Sequence, residues 1–316
     1  MNDKVKKAIE QILNEKDTEL CEDLIRKEGI NSPDFAQAAL EAGVFRPNII
    51  YCDASESVRD KLIEMLEEEQ AENPDGCLMA LAAIGDEVVM KYFKKWDKLP
   101  KQWKNKLYVS PIDYAQEGGW YIDEDKKVKL YFDECYALEE VSEFKPDENI
   151  YRMENRERCP RCGFKLHDFI VNGRDSRLSF LGINGGIRVK TCLTCLPYEE
   201  GLYYCEYEED GYSKFICNVD KKKKCPISKE DDEVCRFPPL VISKKRVSKN
   251  YCDEFTGSAI GGMPCFIYDA IYKSCPKCGK KMKHFMQLGG DYTGYGSIYF
   301  QICTDCKITA ALFQQT

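Results

Sequence analysis

CPRCGFKLHDFI, Cys159 to Ile170, returns 116 positions later as CPKCGKKMKHFM, Cys275 to Met286. Each copy opens on a Cys-x-x-Cys pair and is answered downstream by a second pair. Cys192 and Cys195 follow the first after 29 intervening residues, and Cys303 and Cys306 follow the second after 24. A gap of two residues lets both sulfurs of one turn reach one ion, and two such turns complete a tetrahedron of thiolates. The repeat therefore predicts two zinc ribbons. The metal ligands expected are Cys159, Cys162, Cys192 and Cys195 in the first, and Cys275, Cys278, Cys303 and Cys306 in the second. Four protein ligands close the coordination shell, so two structural zinc ions are expected and no metal-activated water.

The flanks agree with this reading. Gly163 and Gly279 follow the opening pairs, where a knuckle needs positive φ. Leu196 and Lys307 stand in the matching place after the closing pairs, so those turns are expected to be less regular. Lys165 and Lys281, and Phe169 and Phe285, correspond across the copies. An alternating strand leads into each closing pair: Ile187, Val189 and Thr191, then Ile298, Phe300 and Ile302. Closure within a copy is the shorter loop and is the expectation, with exchange between copies left open. The two histidines, His167 and His284, lie near the knuckles and read as packing residues or as substitute ligands. Among the other cysteines, Cys205, Cys217, Cys225 and Cys235 offer either a third site or scattered buried thiols. Cys21, Cys52, Cys77 and Cys135 are expected in core positions, and Cys252 and Cys265 have no partner at a telling spacing.

Eighteen cysteines in 316 residues, with no apolar segment after the charged start MNDKVKKAIEQ, favour metal over disulfides and a cytoplasmic location. The longest apolar run, Cys77 to Ile84, is too short to cross a bilayer, so no membrane partner is expected. Residues 1–150 hold 20 basic and 34 acidic side chains, and residues 151–316 hold 26 and 20. That is a weak footprint for nucleic acid.

Three regions follow: 1–99 helical, 100–150 a β-hairpin connection, and 151–316 a β-rich domain carrying the duplicated ribbons. The fold class is α+β. In the first region, Val5, Ala8, Ile9, Ile12 and Leu13 fall at helical spacing. Ser32-Pro33 reads as a helix start, Gly43 as a stop and Ser57 as the next cap. DGCLMALAAIGDEVVMKYFKKW, Asp75 to Trp96, breaks at Gly85-Asp86 into a helical hairpin that resembles a HEAT-type repeat; a plain helical bundle is the alternative. GGWYIDEDKKVKLYFDECYALEE alternates around a charged turn at Asp123–Lys127 and predicts the β-hairpin. KKKKCPISKEDDE, Lys221 to Glu233, reads as a solvated loop. Gly261-Gly262 before Met263-Pro264 reads as a tight turn into a strand over Cys265–Tyr268, serving either packing or ligand binding.

The last sixty or so residues resemble the end of the YwqG-like family of uncharacterised bacterial proteins. The likeness rests on Gly261-Gly262-x-Pro264, Cys278-Gly279, Met282, Gln287-Leu288, the glycine-rich turn Gly289–Gly296 and the strand Ile298–Ile302. It implies a bacterial protein with a β-rich C-terminal domain, and it carries no activity. No P-loop, HExxH or nucleophile elbow is present. The reading that remains is a non-enzymatic protein that binds another protein, a basic one suiting the acidic first half. One alternative is nucleic-acid binding through Arg158, Arg161, Lys165, Arg174, Arg177, Arg188 and Lys190 interleaved with Phe164, Phe169 and Phe180. The other is an enzyme with an unrecognised site.

Overall fold

The computed structural model describes residues 3–29, 33–198, 203–217, 237–252, 257–290 and 296–315. The chain divides into two compact units, Met1–Leu130 and Tyr131–Thr316. The first is largely helical and the second β-rich, which is the expected class.

Helices α1 (Asp3–Glu15), α2 (Glu19–Arg26), α3 (Pro33–Glu41), α4 (Glu56–Glu67), α5 (Pro74–Ile84) and α6 (Glu87–Lys98) build the first unit. Each turns an apolar stripe inward; α1 buries Val5, Ala8, Ile9 and Ile12. Gly43 stands just beyond α3 at φ +68°. Ser55, and not Ser57, caps α4, because its backbone is extended and its hydroxyl accepts from the Val58 N–H at 3.4 Å. The break between α5 and α6 falls where expected. Gly85 takes φ +54°, and Asp86 caps α6 by accepting from the Val89 N–H at 2.9 Å. Ser32 lies outside the described residues.

The unit's indoles are buried and hydrogen-bonded: Trp96 to Glu67 Oε1 at 2.5 Å, Trp103 to Leu66 O at 2.9 Å, and Trp120 to Ala82 O at 2.8 Å. Trp120 opens the predicted hairpin, β1 (Trp120–Asp123) with β2 (Lys126–Lys129). Its turn is Glu124-Asp125, both at positive φ, which matches the twist of a two-residue hairpin.

The second unit holds β3 (Phe132–Glu140), β4 (Tyr151–Arg158), β5 (Lys165–Asn172), β6 (Gly186–Thr191), β7 (Tyr203–Tyr207), β8 (Ser213–Cys217), β9 (Leu240–Arg246), β10 (Ala259–Gly262), β11 (Lys283–Leu288), β12 (Ser297–Cys303) and β13 (Ile308–Gln314). Strand β3 thus leaves the hairpin's neighbourhood in sequence and enters this unit. Two antiparallel sheets result, an eight-stranded one in the order β8-β7-β13-β12-β11-β10-β3-β9 and a three-stranded one in the order β4-β5-β6. They share a core in which Phe169, Val171, Ile187 and Val189 of the small sheet meet Phe285, Ile298, Phe300 and Phe313 of the large one. The Phe169 and Phe300 rings cross at 4.9 Å. The sheets are also joined through backbone. Ile150 and Leu240 exchange two hydrogen bonds of 2.8 Å, and the Gly186 N–H donates to Glu209 O at 3.0 Å.

The other face of the large sheet is covered by the segment from Met263 to Ser274. It is not the strand expected over Cys265–Tyr268, since Pro264 has no N–H and the segment's backbone is satisfied by side chains instead. Gln287 Oε1 accepts from the Cys265 N–H at 3.1 Å, and the Tyr299 hydroxyl donates to Cys265 O at 2.7 Å. Gln301 accepts from the Lys273 N–H at 2.8 Å and donates to Ile271 O at 2.6 Å. Gln314 does the same for the Tyr268 N–H at 3.2 Å and Asp269 O at 3.1 Å. Gly261 and Gly262 lie within β10 at φ +77° and +75°, beside a bulge against β3. A Cβ on Gly261 would stand 1.9 Å from the Glu134 carbonyl, so this pair serves packing.

Candidate metal centres

Each opening Cys-x-x-Cys pair folds as the same knuckle. The Gly163 N–H donates to Cys159 O at 2.9 Å and the Cys159 N–H to Phe164 O at 2.8 Å. In the second copy the Gly279 N–H donates to Cys275 O and the Cys275 N–H to Lys280 O, both at 2.8 Å. Gly163 and Gly279 take φ +79° and +76°. The strands then present the closing pairs, β6 beside β5 and β12 beside β11.

The closing turns, which lack glycine, are made in two ways. Leu196 donates to Cys192 O at 2.9 Å and runs on into a short 3-10 turn, Leu196–Tyr198. Lys307 takes φ +53°, a left-handed conformation costly for a side chain.

Closure is within each copy. Cys159, Cys162, Cys192 and Cys195 form one group and Cys275, Cys278, Cys303 and Cys306 another, each with its sulfurs within 4.8 Å of one another. Metal–sulfur bonds of about 2.3 Å in a tetrahedron separate the sulfurs by roughly 3.8 Å. Three of the spacings are 4.0 Å for Cys159–Cys195, 3.4 Å for Cys162–Cys192 and 3.8 Å for Cys278–Cys303. Both groups can hold a metal ion.

The electrostatics favour a cation at the first group. Hydrogen bonds from Cys162, Cys192 and Cys195 hold the Cys159 thiol far below its ordinary pKa, and contacts with Cys159 and then Cys162 push Cys192 and Cys195 far above theirs. Four sulfurs this close cannot all ionise unless a dication lies among them. Burial, and then the Cys195 sulfur, raise the Tyr203 phenol well beyond its usual range. Its hydroxyl is buried without a hydrogen-bond acceptor and stands beside a sulfur that would accept once metallated. At the second group the Lys280 backbone N–H is the largest influence holding Cys278 below an ordinary thiol.

The two groups differ in exposure. Cys159, Cys192 and Cys195 are buried and Cys162 half-buried, all against the sandwich core. In the second group only Cys275 is buried; Cys303 and Cys306 are half-buried and Cys278 is exposed.

Neither histidine joins a group. His167 is buried with Nδ1 3.0 Å from the Arg152 guanidinium, and burial lowers its pKa to about 4. His284 is also buried, which lowers its pKa to about 3. Of the four cysteines considered for a third site, Cys205 and Cys217 lie on neighbouring strands but face Phe215 and Tyr203 across the ladder. Cys225, Cys235 and the charged segment Lys221–Glu233 lie outside the described residues. Cys21, Cys77 and Cys135 are buried, and burial raises each to about 12, while Cys52 is half-buried.

Several basic and aromatic residues of the first ribbon are taken up within the fold, while Arg158, Lys165 and Arg174 are exposed. Lys190 is buried and paired with Glu157, Arg177 is paired with Asp175, and Arg188 reaches Asp168 at 3.4 Å. Phe169 is in the core, and Phe180 packs edge-on to Phe132 at 5.4 Å. The glutamines that hold the 263–274 segment were missed in the sequence. Their one signal was a glutamine beside the apolar residues of each of three strands, Gln287 in β11, Gln301 in β12 and Gln314 at the end of β13.

The chain is 31% identical over 276 residues to the uncharacterised protein YpfL of Salmonella typhimurium, strain LT2. That alignment covers 83% of this chain and 64% of YpfL, so the chain spans less than two thirds of that relative. No protein-family model matches the chain. No solved structure matches it.

Proposed function

We propose that the chain is a zinc protein that works by binding another protein, both metals being structural. The observation that carries this is the closed donor set: each group draws four sulfurs from the chain itself and leaves no position for water or substrate. Sulfur donors in a tetrahedron select zinc or iron, and zinc fits a scaffold role because it has no redox chemistry of its own. The acidic first half, and the HEAT-like α5–α6 hairpin it contains, suit a basic protein partner in the cytoplasm. The YwqG-like resemblance of the C-terminal residues adds a bacterial setting.

The test is metal content per chain, by elemental analysis, on protein purified without added metal. Two zinc ions are expected, falling to one when Cys159 and Cys162, or Cys275 and Cys278, are changed to Ser. Iron with a visible absorbance band would overturn the structural-zinc reading and bring electron transfer forward. Salt-sensitive retention on nucleic acid would overturn the protein-partner reading in favour of nucleic acid.

A further inference from the structure

The two clusters share one ligand set but not one environment, and the difference predicts different chemistry. A metal-bound thiolate reacts with an oxidant in proportion to its access. The first cluster packs against the sandwich core with three of its cysteines buried and Cys162 half-buried, and with Leu196 and Tyr203 fully buried around it. The second stands at the surface, with Cys278 exposed and its sulfur 3.8 Å from that of half-buried Cys303. Its knuckle rests on a small apolar seat of Tyr204, Met282, Ile308 and Ala310, separate from the sandwich core.

Resting on the zinc reading above, we propose that the second cluster is a thiol switch in which a peroxide joins Cys278 to Cys303, expels the metal and loosens the knuckle from its seat. The Cys278 thiolate attacks one peroxide oxygen; the O–O bond breaks, leaving a sulfenic acid on Cys278 and a hydroxide that takes a proton. The Cys303 thiolate then attacks the Cys278 sulfur. The S–S bond forms, the sulfenic oxygen leaves as hydroxide and is protonated. The two sulfurs supply two electrons, and one peroxide becomes two waters. Cys275 and Cys306 alone are too few to keep a tetrahedral ion, and they take up protons as it leaves. A dithiol reductant with zinc reverses the sequence.

The experiment treats the zinc-loaded full chain with stoichiometric hydrogen peroxide. It follows released zinc with a chromogenic chelator, maps the disulfide by mass spectrometry, and probes the knuckle by brief trypsin digestion. One zinc of the two is expected to leave, with a Cys278–Cys303 linkage and new cleavage after Lys277, Lys280, Lys281 or Lys283. Dithiothreitol with zinc should restore both equivalents. Cys278→His keeps a metal ligand and should hold both ions under the same treatment. Loss of both ions, loss of neither, or linkage within the first cluster overturns this inference alone. A chain that carries no metal before oxidation overturns the zinc reading and this inference with it.

Discussion

Lys104 directs one ammonium at three carbonyls, those of Trp96, Asp97 and Leu99, at 2.9, 3.0 and 3.3 Å. These belong to the last turn of α6 and its C-cap Leu99, where helical acceptors lack partners and the helix dipole favours a cation. Lys104→Met should cost about 1–2 kcal/mol in denaturant unfolding. Gly118 shows the opposite constraint, that of space. A Cβ there would stand 1.9 Å from the Ala82 carbonyl that Trp120 also uses, so Gly118→Ala should cost several kcal/mol. An unchanged melting temperature would refute it. His284 links the fold to pH. Its folded pKa of about 3 lies below the value of about 6.5 in the unfolded chain, so the unfolded state binds the extra proton as pH falls. Stability is complete above about 6.5 and drops by up to about 1.4 kcal/mol per unit on the way down. On zinc-loaded protein, the loss between pH 7 and pH 5 should be about 2 kcal/mol smaller in His284→Met.

At the scale of elements, side chains replace backbone as hydrogen-bonding partners on one face of the large sheet. Gln301 serves both the Lys273 N–H and the Ile271 carbonyl from a fully buried position. Gln301→Leu should cost about 2–4 kcal/mol, with exchange of the Lys273 amide accelerated first. This is also where the sequence was least legible. The knuckles could be read because ligand chemistry demands cysteine at fixed spacing and glycine at positive φ. The β1–β2 hairpin could be read because its alternation is local. The cover over Cys265–Tyr268 was mistaken for a strand because its apolar residues look like one, and its partners lie at least 22 residues away in the chain. Ser57 was mistaken for the α4 cap because capping depends on the extended backbone of Ser55, which composition does not reveal. Exposure was illegible altogether: two motifs with the same cysteine spacing gave one mostly buried and one open cluster.

At the scale of the molecule, the two units rest on different physics. The first has a continuous apolar core running from Val5 to Trp120 and no metal group among its described residues. The second carries both cysteine groups at the ends of its strand pairs. Stripping metal with a chelator should therefore abolish amide protection across residues 131–316 while leaving that of 3–129, a split that hydrogen exchange on the intact chain would resolve. Uniform loss in both units would count against independent cores. The glutamine ladder adds a further consequence. It holds the 263–274 segment by peptide groups, and the segment's own side chains decide which residue meets which amide: the buried Lys273 ammonium donates to Ala311 O at 2.6 Å, and the Phe266 ring lies 4.7 Å from that of Tyr299. The adjoining Cys275, held in the second cysteine group, anchors the end of the segment and reinforces that reading frame. A residue inserted at exposed Ser274 would shift these contacts by one position and withdraw the Lys273 ammonium from the Ala311 carbonyl.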